Sequence, residues 1–301
     1  MNTLPKSIIH NPKSSKYVIV ITGPTASGKS SLALELAERY RGEIICADSR
    51  TVYRGMDIGT AKPTADDQRR VPHHLLDVAD PDERFAAADF QRLAQCAIGG
   101  IRARGHIPFV VGGTGLYIDS LVLGYEFGPM GDDGRRGELE SLPIDQLQTM
   151  LKNQHIPLPH NHDNKRYLIR ALEQQGINTN RVNSPAQDTI VVAISTEKAE
   201  LEGRIRRRAD DMFRDGIVEE TASLARKYGW DHEALTGNIY PIVHRLIDGD
   251  LSLDEAKELF IIKDRQLVKK QLTWLKRHDY VQWMTIDDAH EYLSDLLSQG
   301  K

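Results

Sequence analysis

The octapeptide Gly23-Pro24-Thr25-Ala26-Ser27-Gly28-Lys29-Ser30 places glycines, a lysine and a hydroxyl at the spacing G-x-x-x-x-G-K-[ST]. Gly23 and Gly28 let the backbone curl until successive N–H groups face one centre, which suits a phosphate. Lys29 adds a full positive charge, and a helix opening near Ser30 adds free N–H donors and its positive dipole end. The Ser30 hydroxyl can ligate a magnesium ion shared with the phosphates. A polyphosphate ligand is therefore expected. P-loop enzymes that hydrolyse ATP or move its γ-phosphate also need an aspartate at the end of an apolar strand. Here Pro108–Val111 (PFVV) runs instead into Gly112-Gly113-Thr114-Gly115, which points away from a standard ATPase. The apolar run that does deliver an aspartate is Glu43–Ala47 (EIICA), followed by Asp48. That carboxylate can hold magnesium, accept a proton from an attacking nucleophile, or simply cap a turn.

Short apolar strands must carry these groups. Tyr17–Thr22 (YVIVIT) reads as a buried strand entering the P-loop, and Ser30–Tyr40 as the helix leaving it, with Leu32, Leu36 and Tyr40 at helical spacing. EIICA, PFVV and Thr189–Ser195 (TIVVAIS) are three more strands, and Phe85–Arg104 is a helix between the second and third. Strands alternating with helices predict an α/β fold, a P-loop NTPase-like parallel sheet flanked by helices, with Asp48 and the P-loop beyond the carboxyl ends of neighbouring strands. Residues 1–16 read as a flexible tail, and residues 17–123 with 189–301 as the core, helical in its C-terminal part. Residues 124–188 read as a small helical insert, with helices around Asp145–Gln154 and Lys165–Gln175. Further helices are expected over Glu197–Arg208, Gly216–Tyr228 and Leu253–Arg277.

A formal net charge of −4, from 39 Lys+Arg against 43 Asp+Glu, excludes a polycation, so any nucleic-acid affinity must be local. One local patch exists: Lys263–His278 (KDRQLVKKQLTWLKRH) carries Lys263, Arg265, Lys269, Lys270, Lys276 and Arg277 against Asp264 alone, with Trp274 among them. A basic stripe with an aromatic suits RNA, although the same pattern also describes a surface helix with Leu267, Leu272 and Leu275 in a core. Arg204 and Arg208 lie on one helix face, while Arg206 and Arg207 read as solvated. Cys46 and Cys96 are too few for a disulfide framework or a four-cysteine zinc site, and His155, His160 and His162 read as a loop. No apolar run is long enough for a membrane span, and the two cysteines suit a reduced, intracellular setting; a cytoplasmic location and a monomer are expected.

Seven segments, spread along most of the chain in one order, resemble the tRNA dimethylallyltransferase (tRNA isopentenyltransferase) family. They are Gly23–Ser30, Ala47–Thr51 (ADSRT), Tyr53–Pro63 (YRGMDIGTAKP), Val71–Val78 (VPHHLLDV), Pro108–Tyr117 (PFVVGGTGLY), Arg170–Glu173 (RALE) and Gln271–Leu275 (QLTWL). The resemblance implies transfer of a dimethylallyl group from dimethylallyl diphosphate to the exocyclic N6 of an adenosine next to the anticodon, position 37 of the tRNA. It implies that residues 23–30, with Arg204 and Arg208, hold the diphosphate, and Ser30 a Mg2+ ion. Asp48 is then the general base, with Lys29 and Thr114 also at the reacting groups. Contacts to the tRNA anticodon stem-loop are implied for Asp48, Ser49, Arg50, Thr51, Thr114, Arg136, Arg166, Arg170, Lys269, Lys270, Gln271, Thr273, Trp274 and Lys276. The sequence departs from the family at Thr236–Pro241 (TGNIYP), where Tyr240 is the clear survivor, and at Tyr167, where an arginine is common. Competing readings are an AMP or ADP dimethylallyltransferase, a P-loop nucleotide kinase or ATP-dependent RNA-binding protein, and a catalytically inactive tRNA-binding module.

Overall fold

The computed structural model describes residues 17–128, 133–175 and 182–298; the expected tail, residues 1–16, lies outside them. Contacts divide the chain into two compact units, Leu123–Asn183 and the remainder.

The larger unit is built on a parallel sheet. Its strands are β1 (Val18–Thr22), β2 (Gly42–Cys46), β3 (His73–His74), β4 (Ile107–Val111), β5 (Thr189–Ile194) and β6 (Gln282–Met284), in the order β3-β2-β4-β1-β5-β6. β1, β2 and β4 are buried at every position, as continuous apolar runs require when both faces of a sheet are covered. One sequence expectation is corrected here. β1 and β2 are not neighbours, because β4 pairs with both, setting Ile19 opposite Phe109 and Ile44 opposite Phe109. The loop after β4 therefore lies between the P-loop and Asp48. Close packing permits this: a Cβ on Gly112 would fall 2.0 Å from the Ala47 carbonyl oxygen.

Helix α1 (Lys29–Tyr40) follows the P-loop, α2 (Ala65–Arg70) precedes β3, and α3 (Ala87–Ala103) and α4 (Gly115–Val122) bracket β4. Phe90 of α3 stacks on Tyr117 of α4 at 4.4 Å. The smaller unit holds α5 (Asp133–Ser141), α6 (Ile144–Asn153) and α7 (Lys165–Glu173) around Leu139, Leu147, Leu151, Leu168, Ile169 and Leu172. Residues 184–188 fall in the larger unit, where Val18 N–H donates to the Asp188 carbonyl and Arg102 pairs with the Asp188 carboxylate at 2.7 Å.

The C-terminal helices are α8 (Lys198–Arg214), α9 (Ile217–Tyr228), α10 (Tyr240–Ile247), α11 (Leu253–Leu275) and α12 (Ile286–Ser298). α8 continues past its expected end because Ala209 and Met212 extend the buried stripe. α8 to α11 enclose a second core that includes Ile205, Met212, Val243 and Phe260. α12 escaped the sequence reading, as did β6 and β3; it seals the sheet beside α1 through Ala289, Leu293 and Leu297. No helix among the described residues is long and apolar enough to cross a membrane.

Candidate active site

The loop from Gly23 to Gly28 turns tightly enough to need left-handed backbone at Gly23 (φ 140°), Ala26 (φ 61°) and Gly28 (φ 92°). At Gly28 a side chain is excluded twice over. The positive φ disfavours it, and a Cβ would lie 2.6 Å from Ile286 Cδ1. Gly28 caps α1, whose axis begins at Lys29. The α1 N–H groups therefore open onto the same cavity that the loop lines, about 1540 Å³ in volume.

Lys29 is the loop's half-buried cation. Its Nζ donates to the Pro24 carbonyl at 3.1 Å. Burial pushes its pKa down to about 8; Asp48 opposes that shift and Arg208 adds to it. Lys29 is thus electrostatically coupled to both the candidate base and a second cation. Arg204 and Arg208 of α8 reach the loop directly. Arg204 Nη1 donates to the Ala26 carbonyl at 3.3 Å, and Arg208 Nη1 to Thr25 Oγ1 at 2.8 Å.

Asp48 leaves β2 into the same cavity. Its Oδ1 accepts the Arg50 N–H at 2.8 Å, an Asx turn that fixes the carboxylate, and no hydrogen bond occupies Oδ2 among the described residues. The capping and chemical readings of Asp48 are therefore compatible, one oxygen each. Thr114, at the head of α4, braces this turn: its N–H donates to the Ala47 carbonyl at 3.3 Å, and its Oγ1 accepts the Ser49 N–H at 3.0 Å.

α11 closes the cavity with its inward face. Gln271 Oε1 accepts the Thr25 N–H at 2.8 Å, and its Nε2 donates to the Gly113 carbonyl at 3.2 Å, so one amide ties the P-loop to the loop after β4. Trp274 packs on Gly115, where a Cβ would meet its ring at 2.3 Å. Its Nε1 donates to Asp119 Oδ2 at 2.8 Å. Asp119 was missed in the sequence. It is buried in α4 and also binds His278 and Tyr280, at 3.0 and 3.3 Å; burial raises its pKa. Asp264, which the sequence showed only as the one acid of the basic stripe, is 1% exposed and pairs with Arg208 at 2.7 Å. Its one available signal was position, seven residues before Gln271 and so on the same side of the helix.

The remaining expected contacts divide by exposure. Lys269 and Thr273 are exposed on α11 and Lys276 just after it, while exposed Lys270 and Ser30 stand at the cavity wall. Ser49 and Arg50 also line the cavity, but the Arg50 guanidinium donates to the carbonyls of Glu233 and Ala234 at 2.7 and 3.2 Å. Thr51 is largely buried, with its hydroxyl turned to the Asp48 carbonyl, and also lines the cavity. In the smaller unit Arg166 is exposed, whereas Arg136 and Arg170 converge on buried Glu173 at 2.8 and 3.4 Å. No group of three or more His, Cys, Asp or Glu is placed to hold a metal among the described residues. Cys46 is buried, which pushes its thiol up to about 12 and makes it inert.

A P-loop on the central strand of a parallel sheet, three cations around it and a half-free carboxylate across one cavity define a P-loop enzyme of the group-transfer kind. The chain belongs to the IPP transferase family, whose model matches residues 51–278. It is 40% identical over 283 residues to tRNA dimethylallyltransferase 2 of Geotalea daltonii, covering 89% of this chain and 87% of that one. Against tRNA dimethylallyltransferase 1 of Citrifermentans bemidjiense it is 42% identical over 280 residues, covering 89% and 91%. Its fold matches the crystal structure of the full-length tRNA isopentenylpyrophosphate transferase of Bacillus halodurans with a TM-score of 0.72 and 34% identity, over 95% of this chain and 98% of that one.

Proposed function

We propose that this protein transfers the dimethylallyl group of dimethylallyl diphosphate to the exocyclic N6 of the adenosine next to the anticodon of a tRNA, acting in the cytoplasm as a monomer. The observation that carries this is the shared cavity: the P-loop, Arg204, Arg208 and Asp48 all line one space. Breaking the allylic C–O bond sends its electron pair onto diphosphate. The N–H groups of the loop and α1, Lys29, Arg204 and Arg208 stabilise the leaving anion without reorganising. The allylic carbon becomes cation-like, because its charge spreads over the double bond. The adenine amine is a weak nucleophile, since its lone pair is delocalised into the ring. As its N–C bond forms, Asp48 Oδ2 takes the proton, and the Asx turn on Oδ1 keeps that oxygen aimed.

Oxygen donors suit Mg2+, and the Ser30 hydroxyl lines the cavity. With so few protein ligands, phosphate oxygens and water would have to supply the rest of the shell, as this ion commonly accepts. Bound there, Mg2+ would neutralise charge on the departing diphosphate. The exposed lysines along and just after α11, Lys269 and Lys276, with Lys270 at the cavity rim, supply the phosphate contacts that position a folded RNA, and the target base leaves its stack to reach the cavity. Arg166 and the smaller unit supply further RNA contact.

The test is incubation with Mg2+ and labelled dimethylallyl diphosphate, in parallel with tRNA and with AMP. Label should enter tRNA only. Label in AMP alone would overturn the acceptor, and ATP consumption without transfer would favour a kinase. Asp48→Asn should cut turnover about 10²-fold or more while donor binding persists; near-normal turnover removes Asp48 from the mechanism.

A further inference from the structure

Arg208 is held at three points. Its guanidinium lies 5.8 Å over the Phe260 ring, and its Nη1 bonds both Asp264 Oδ2 at 2.7 Å and Thr25 Oγ1 at 2.8 Å. Four ion pairs join α8 to α11. Three of them sit at the surface: Arg206–Glu258, Lys257–Asp210 and Arg265–Glu202, each with side chains well exposed on one or both partners. Such pairs contribute little. Arg208–Asp264 differs, with side-chain exposures of 21% and 2%. A buried ion pair is a poor stabiliser compared with apolar packing, because both ions must leave water. Its placement calls for another reason.

We infer that Asp264 is a positioning residue that aims the Arg208 guanidinium at the diphosphate held by the P-loop. This rests on the proposed reading of that loop as a diphosphate cradle. A guanidinium has five N–H donors in a rigid fork. Both Asp264 and Thr25 are served by Nη1, so Nη2 and Nε are left without a hydrogen bond among the described residues, on a side chain that lines the cavity. Those donors are left for a ligand in that cavity. Asp264 itself is fully engaged: its other oxygen accepts from Asn238 Nδ2 at 3.2 Å, within the segment that departs from the family pattern. Asp264 also solves an electrostatic problem. Arg208, through Thr25, and Lys29, through the Pro24 carbonyl, bring two like charges to one loop. A carboxylate behind Arg208 lets both cations stay in place before the ligand arrives, which is preorganisation.

The experiment measures inorganic pyrophosphate binding, with Mg2+, by calorimetry on the full-length protein, alongside donor and tRNA KM values. The proteins are wild type, Asp264→Asn, Arg208→Ala and the double variant. Asp264→Asn keeps the shape and removes the charge. It should weaken pyrophosphate about tenfold, the scale of a charge-assisted hydrogen bond, and raise donor KM without moving tRNA KM. Arg208→Ala should weaken it as much or more. The double variant should be no weaker than Arg208→Ala, because Asp264 acts through Arg208. Unchanged or tighter pyrophosphate binding by Asp264→Asn, or effects that add in full, overturn the inference. If Asp264→Asn fails to fold, Arg208→Lys decides instead. It keeps a charge against Asp264 but loses the fork, so it should also bind about tenfold more weakly, and wild-type affinity would overturn the positioning role. A wild-type protein that binds no pyrophosphate sinks the diphosphate reading itself, and this inference with it.

Discussion

Lys29 sits half-buried in the P-loop with its pKa lowered from 10.5 to about 8, burial being the largest cause. The unfolded chain holds that proton more tightly than the folded one. Below about pH 8 both states are protonated and the full cost of burying the charge falls on the folded protein. As pH rises from about 8 towards 10.5, the unfolded state binds more protons than the folded state, so stability increases with pH. The gap between 10.5 and about 8 corresponds to roughly 3 kcal/mol. Lys29→Met retains the length and packing of the side chain and removes the charge. In ligand-free protein at pH 7 it should therefore be more stable than wild type by up to about 3 kcal/mol, a rise of several degrees in melting temperature. At pH 10.5 the advantage should shrink below about 1 kcal/mol, because the wild-type lysine is then largely neutral in the fold. Added pyrophosphate should reverse the ranking, stabilising wild type far more than the variant. Denaturant titrations of both proteins at pH 7, 8.5 and 10.5, with and without pyrophosphate, measure all three effects. A variant that is no more stable at pH 7, or whose advantage does not narrow with pH, would refute the claim that the loop stores an unpaid desolvation cost for its ligand.

Two other perturbations probe the frame around the site. Burial alone would raise the Glu43 pKa, but hydrogen bonds from Arg104, His74 and His106 outweigh it and hold the carboxylate at about 2. That stability is present above about pH 4.5 and lost as pH falls towards 2, so Glu43→Gln should be less stable at pH 7 by roughly 3 kcal/mol and lose less on acidification; parallel acid-unfolding curves would contradict this. Gly115→Ala places a methyl 2.3 Å from the Trp274 ring and should cost about 1–3 kcal/mol, disturbing the bond to Asp119. An unchanged melting temperature would mean that the ring yields freely and that Gly115 is not required by packing.

Much of the site was legible from local chemistry. The P-loop is a contiguous motif whose glycines, lysine and serine act through backbone curl and helix polarity, all short-range effects, so its role and its strand–helix setting follow from residues 23–30 and their flanks. The same holds for buried strands such as VIVIT and IPFVV, since continuous apolar runs mark a covered parallel sheet. Strand order was not legible. Nothing local in IPFVV says that it inserts between β1 and β2; that follows from which faces pack. Short elements such as β3 and β6, of two and three residues, exist only because a neighbouring strand offers them hydrogen bonds. The division of α11 into an outer cationic face and an inner face of Asp264, Gln271 and Trp274 also needed the fold. A charge run looks solvated in sequence, and only the helix rotation set by Phe260, Val268 and Leu275 in the core turns Asp264 inward to meet Arg208. Residue type decided what each group can do; long-range packing decided which groups face one another, because a side chain's partners 50 to 250 residues away leave no trace in its immediate neighbours.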